Sequence, residues 1–229
     1  MNRIIYLIKT NSNYRLIINF ILFSIFSFFK KDKKKQYIGK FRQFLKEKHI
    51  TQDWFSHNVY DWHEERECLS KRKDYLEIGS FEGISAMYVL ENFLQLKVTC
   101  VDAWSDKTDG NQDLNIQLVE KNFDLNTEKY KNRIEKLKCL SKDFFKKNTD
   151  TFDIIYIDGS HKADDVFYDC TNAWEILRKD GLLILDDYFW NGYPKIEDNT
   201  AYGIKNFLKK IKYFRILKLT KYQLFIKKI

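Results

Sequence analysis

The feature that most restricts what this chain can fold into is a set of three short apolar runs, each ending abruptly in an acidic or glycine-bearing turn. Asp74-Tyr75-Leu76-Glu77-Ile78 runs into Gly79-Ser80-Phe81-Glu82-Gly83, Ile157 into Asp158-Gly159-Ser160-His161, and Ile184-Leu185 into Asp186-Asp187-Tyr188. Helix-like segments separate them. In an open α/β sheet, ligands sit where the carboxyl ends of parallel strands meet such turns. Three in a row predict one nucleotide-type pocket with carboxylates on its rim, and hence an enzyme. Glycine placement agrees: of eight glycines, Gly79, Gly83, Gly159 and Gly181 stand at strand edges, and the chain has a single proline, Pro194. Strand-to-helix turns favour glycine for their own sake, but the set also suits close backbone approach to a ligand.

The pattern alternates from residue 74 onward. Strands are predicted at 74–78, 97–102, 134–139, 153–157 and 182–186, and helices near 84–93, 115–123, 141–147, 163–178 and 201–211. Such alternation implies a parallel sheet with right-handed crossovers. The end breaks the rhythm, because Phe214–Leu219 and Tyr222–Lys227 read as an antiparallel hairpin at the sheet edge. The expected fold class is therefore α/β: a Rossmann-like, doubly wound, mostly parallel seven-stranded sheet with a C-terminal hairpin and an N-terminal helical extension. The expected divisions are 1–35, hydrophobic and basic; 36–73, a helical cap with Trp54, Phe55 and Trp62 among its apolar anchors; and 74–229, the catalytic domain.

The net charge of +8 is unevenly placed. Residues 1–50 carry +10 and residues 200–229 carry +9, whereas 51–199 carry −11. Nucleic-acid binding needs a basic surface around the working site, and here the pocket lies in the acidic part, so no nucleic-acid partner is expected. Cys68, Cys100, Cys139 and Cys170 are widely spaced with no CxxC pair. They read as reduced thiols in a cytoplasmic setting, and no zinc pattern is present.

Leu16 to Phe29 is an apolar run broken only by Asn19, Ser24 and Ser27, and Lys30-Lys31-Asp32-Lys33-Lys34-Lys35 follows at once. A spanning helix needs about 20 apolar residues, so the run is short, and a lysine cluster stands where a cleavage site would be. Two readings remain. One is a membrane-associating segment over residues 4–35 with its lysines at anionic headgroups. The other is a helix packed on the enzyme or on a partner subunit, followed by a solvated charge run.

The motifs Glu77–Gly83, Val101–Trp104, Ile157–His161 and Asp186–Tyr188, in this order and spacing, resemble a class I S-adenosylmethionine-dependent methyltransferase of the small-molecule O-methyltransferase-like branch (catechol- and macrocin-type). The resemblance runs from about Trp54 to the C-terminus. It implies S-adenosyl-L-methionine as cofactor, with Gly79, Ser80 and Gly83 cradling its methionine and ribose part and Glu77 supporting that turn. It implies Asp102 as acceptor for the ribose hydroxyls, which agrees with dinucleotide logic. Trp104 would pack on the adenine, or serve as a core aromatic. Ser141 fits the family's adenine-side position and equally an N-cap. Phe81 stands where the commoner motif has a glycine, and Gly79–Gly83 is not the dinucleotide fingerprint, which weighs against an NAD-dependent enzyme of the same architecture. A non-catalytic, membrane-tethered module of this fold is the other rival.

Asp158, Asp186 and Asp187 end neighbouring strands. Clustered carboxylates repel unless a cation or proton sits among them, and an oxygen-rich cluster suits Mg²⁺. The three are the candidate metal ligands, and the branch resembled places an Asp and an Asp-Asn or Asp-Asp pair at the separation of Asp158 and Asp186; they could equally bind cofactor or cap turns. Asp158 and His161 are the candidate catalytic residues, with His161 taking a proton from a substrate hydroxyl. His161 also reads as a helix-start residue or a hydrogen-bond partner of a carboxylate. The aromatic loop from Trp190 suits a planar or sugar-like acceptor, so the expected partner is a small molecule or glycan.

Overall fold

The computed structural model describes residues 2–10, 13–105 and 114–229. Strands β1 (Asp74–Ile78), β2 (Lys97–Asp102), β3 (Ile134–Lys138), β4 (Phe152–Ile157), β5 (Leu177–Leu185), β6 (Phe214–Leu219) and β7 (Leu224–Lys228) form one sheet in the order β3-β2-β1-β4-β5-β7-β6. The first five run parallel, while β7 runs antiparallel to both β5 and β6. The strand order reverses between β1 and β4, which is where such sheets open a crevice. Backbone bonds continue past the strand ends and hold them level: Gly79 N–H to the Val101 carbonyl (2.8 Å), Asp158 N–H to Ile78 (2.8 Å) and Asp186 N–H to Ile157 (3.0 Å).

The helices are α1 (Arg3–Thr10), α2 (Tyr14–Phe29), α3 (Lys31–Leu45), α4 (Val59–Glu64), α5 (Arg66–Leu69), α6 (Ile84–Asn92), α7 (Ile116–Thr127), α8 (Ser141–Lys147), α9 (Ala163–Ile176) and α10 (Thr200–Lys210), with a 3₁₀ turn at Ser56–Asn58. Side chains of a strand alternate between faces, and here both faces are buried, as parallel sheets require. Leu76, Ile78, Ile155, Ile157, Leu183 and Leu185 pack beneath α9, α10 and the inner faces of α1 and α2. Tyr75, Ile154, Tyr156, Leu182 and Ile184 pack on the other side with α6, α7 and the cap residues Phe41, Phe55, Val59 and Trp62. The N-terminal segment thus changes layers between α2 and α3.

Two local expectations are revised. The strand expected at 182–186 begins at Leu177, because Leu177 pairs with Phe152 across a bulge and Asp180 turns the backbone at φ 63°. Cys139 lies just past β3 and is half-buried, whereas Cys100 is buried within β2; the cysteines are free. The run 16–29 looks apolar all round for a physical reason. Leu16 and Phe20 enter the core, and α2 packs against β6, so one face is covered by the rest of the chain. No helix among the described residues is long and apolar enough to cross a membrane.

Candidate functional site

At the first corner of the rim, β1 delivers Glu77 and the glycine turn. Glu77 is fully buried and accepts hydrogen bonds from the Tyr75 hydroxyl (2.6 Å) and Ser85 Oγ (3.0 Å); burial pushes its carboxyl up to about 7. Gly79 has φ +88°, and a Cβ there would stand 2.0 Å from the Asp158 carbonyl oxygen, so only glycine lets β1 and β4 meet this closely. Gly83 has φ +79° and starts α6.

Asp102 ends β2 and turns its carboxylate toward the same loop. Its Oδ2 accepts from the Ser80 and Phe81 N–H groups (2.9 Å each), and Oδ1 accepts from Trp104 N–H (2.8 Å). Burial raises the Asp102 pKa, against the pull of those backbone donors. Trp104 has core contacts. It is buried, donates from Nε1 to the Phe81 carbonyl (2.9 Å), and packs on Phe123 with the Lys136 ammonium 4.7 Å from its ring. The residues that follow, 106–113, lie outside those described.

Phe81, Trp104 and Asp187 all hold positive φ (48°, 40° and 51°) although none is glycine. Such backbone costs of order 1–3 kcal/mol per residue and persists where the surroundings over-determine it. Here the Asp102 bonds fix the first two, and Asp186 Oδ1, accepting from Asp187 N–H at 2.7 Å, fixes the third. The strain is concentrated on the rim.

At the second corner, β4 and β5 present Asp158, Asp186 and Asp187. The Tyr156 hydroxyl lies against both Asp158 Oδ2 (2.9 Å) and Asp186 Oδ2, with one proton to donate. Gln223 Nε2 donates to Asp186 Oδ2 (2.8 Å), and Gln223 is in turn held by Trp62 Nε1 (2.8 Å). Burial, and then the charges of Asp186 and Asp187, push Asp158 well above the carboxylate range; burial and Asp187 push Asp186 up to about 6. Opposite them, His161 Nε2 meets Asp187 Oδ2 at 2.8 Å, and the His161 ring stacks on Trp190 with centroids 4.6 Å apart.

One ligand atom each from Asp158, His161 and Asp187 lies within 4.8 Å of the others. That trio, rather than the three aspartates, is the set the structure brings together; Asp186 is turned to Tyr156, Gln223 and its own loop. Oxygen donors with one imidazole, facing a surplus of negative charge, fit a divalent cation. Ser141 starts α8, but it makes no cap bond at that helix end. Its side chain bonds Asp169, whose carboxyl burial raises to about 7.

Three residues carry the site without having been singled out. Glu82, fully buried, accepts from Thr51 N–H (2.7 Å), Thr51 Oγ1 (2.9 Å) and Asn122 Nδ2 (2.7 Å), tying the glycine turn to the segment before the 3₁₀ turn. A glutamate inside the turn motif was the available signal. Ser56 and Asn58 are fully buried, and Ser56 Oγ and both polar atoms of the Asn58 side chain have no hydrogen-bond partner. Their turn also carries His57, whose ring touches Tyr222 (3.9 Å) and which burial lowers to about 4. Unsatisfied buried amides are rare and fit a polar ligand beneath the cap.

A methyltransferase-domain family matches residues 76–188. Among solved structures, a caffeoyl-CoA O-methyltransferase-like protein from Staphylococcus aureus superposes with TM-score 0.58 at 18% identity, covering 90% of this chain and 100% of that one. The O-methyltransferase TomG from Streptomyces achromogenes, in complex with S-adenosylmethionine, gives 0.56 at 14% identity over 93% and 96%. An O-methyltransferase from Bacillus cereus, in complex with S-adenosylhomocysteine, gives 0.55 at 15% over 93% and 98%. These likenesses are of fold. No curated protein sequence matches the chain.

Proposed function

We propose that this chain is a class I S-adenosylmethionine-dependent methyltransferase and that it methylates a hydroxyl of a small molecule or glycan at the β4–β5 corner. The observation that carries this is the His161–Asp187 pair beside Asp158, at the strand ends adjoining the glycine turn. Bound S-adenosylmethionine supplies an electrophilic methyl group on a sulfonium. Asp187 Oδ2 fixes one imidazole nitrogen and the Trp190 ring fixes the plane, so His161 is oriented to take a proton from an acceptor hydroxyl. The deprotonated oxygen is the nucleophile, and holding it in line supplies much of the rate. Asp158, raised toward its neutral form, orients the hydroxyl. Trp54, which lies on Phe81 with ring centroids 4.8 Å apart and is 49% exposed, and Trp190 offer flat apolar faces for a planar or sugar ring. TomG, of the same fold, belongs to tomaymycin synthesis, which is consistent with a small-molecule acceptor.

A second reading rests on the 4.8 Å trio. Asp158, His161 and Asp187 would hold a divalent cation such as Mg²⁺, which would lower the pKa of a hydroxyl bound near it. The two readings assign His161 differently and therefore separate cleanly. Formation of S-adenosylhomocysteine is measured against a panel of phenolic and sugar hydroxyl acceptors, with and without EDTA. Loss of turnover in His161→Ala with no effect of EDTA supports the base. Abolition by EDTA and rescue by Mg²⁺ supports the cation. Wild-type turnover in His161→Ala and Asp187→Asn, unaffected by EDTA, would refute both.

A further inference from the structure

The outer side of the N-terminal helices is apolar and uncovered. On α2, Ile18 (49% exposed), Leu22 (47%), Ile25 (50%) and Phe29 (79%) recur every three or four residues, with Tyr14, Ile21 and Phe28 beside them. Residues so spaced share one helix face, here about 17 Å long. On α1, Ile4, Ile5 and Ile8 are likewise exposed. Contiguous apolar surface of this extent marks an interaction site.

Charge says what covers it. Lys31, Lys33 and Lys35 follow directly at the start of α3, are exposed, and make no ion pair among the described residues, unlike Lys30 and Lys34, which pair with Glu64 and Asp61. Residues 1–50 carry +10. A second copy of the same face would set that charge against itself, whereas an anionic headgroup layer complements it.

We propose that the outer faces of α1 and α2, with Lys31, Lys33 and Lys35, dock on the surface of an anionic lipid bilayer. The helices lie on the surface rather than across it, as a short apolar face flanked by lysines does. Their inner faces hold the acceptor side of the rim. The Tyr6 hydroxyl donates to the Trp190 carbonyl (3.2 Å), Tyr6 and Phe20 pack on Phe189, and the Arg3 guanidinium lies 5.5 Å from the centre of that ring. The loop that stacks on His161 therefore sits one helix thickness, about 10 Å, from the lipid. Given the reading above, the acceptor is met at the bilayer–water interface.

Flotation of the full chain with vesicles tests this, using phosphatidylcholine alone and phosphatidylcholine mixed with phosphatidylserine. Binding is expected only to the mixed vesicles and should fall with added salt. Lys31→Ala/Lys33→Ala/Lys35→Ala should weaken it about a hundredfold, and Ile21→Glu/Ile25→Glu should abolish it. S-adenosylhomocysteine affinity of both variants, measured by calorimetry, should match wild type, which separates loss of docking from failure of the enzyme reading. Absence of binding to the mixed vesicles, equal binding to both vesicle types, or a wild-type dimer that Ile21→Glu/Ile25→Glu dissolves would overturn the proposal.

Discussion

At the β1–β2 corner, Asp102 accepts from the Ser80 and Phe81 N–H groups of the glycine turn and from Trp104 N–H of its own loop. At the β4–β5 corner, by contrast, Asp158 and Asp186 share a tyrosine hydroxyl, Asp186 also takes a glutamine amide, and Asp187 turns to His161. The first corner is electrostatically complete before any ligand arrives, and its strained backbone is locked by its own side chains. At the second, burial and then the neighbouring carboxylates drive Asp158 and Asp186 toward protonation. A rim built this way has two kinds of end. One is closed on itself by backbone donors, and the other gathers carboxyl groups that call for a proton or a cation.

The largest effect is expected where the corners meet. Gly79→Ala places a Cβ 2.0 Å from the Asp158 carbonyl oxygen at φ +88°, which should cost about 4 kcal/mol or more. Urea unfolding should show a destabilised chain that no longer binds S-adenosylhomocysteine; wild-type stability would mean the corners are not joined as described. Next comes a change confined to the second corner. Asp187→Asn removes the partner of His161 and should lower kcat by about 10²–10⁴-fold with S-adenosylhomocysteine affinity unchanged. A parallel loss of affinity would show that the two corners do not act separately.

Glu77 tests the first corner through pH. Its folded pKa of about 7 exceeds the ordinary value of 4.5, so the folded chain holds this proton more tightly than the unfolded one. The stability it contributes is complete below the ordinary carboxyl range and is lost as pH rises toward 7, by about 3 kcal/mol in all. Glu77→Gln should flatten that stretch of the stability curve in thermal melts; an unchanged slope would place the titration elsewhere. The smallest effect is expected for Asp102→Asn, which keeps one acceptor oxygen for the loop but sets an amide NH₂ against the N–H groups that met the other. It should cost about 1–2 kcal/mol and weaken S-adenosylhomocysteine binding by calorimetry; no change would mean the loop is held by Trp104 and Glu82 alone.

The sheet was legible because strand period and turn chemistry agree from β1 onward, down to the antiparallel hairpin. β5 was clipped because Leu177–Asp180 carries no apolar alternation and is drawn into the sheet by Leu177 pairing with Phe152. The rim positions could be read from their place after apolar runs, but their pairings could not. Whether Asp186 or His161 joins Asp158 depends on Gln223 and Trp62, residues far apart in sequence that meet only in the folded chain. Trp104 looked available for a ring-stacking role because its burial depends on α7 and Lys136, which no local pattern reveals. Ser56 and Asn58 carry no motif at all; only complete burial without partners marks them.

The Trp62–Gln223–Asp186 chain of hydrogen bonds also bears on how the protein comes into being. A ribosome delivers Trp62, Tyr156 and Asp186 first and Gln223 only afterwards, a few seconds later at about 5–20 residues per second. Until that residue arrives and its hairpin docks, the acidic pair has no amide between the strands and the cap has no anchor. Nascent chains released before this point would carry the glycine turn without a finished β4–β5 corner, which is therefore completed only late in translation.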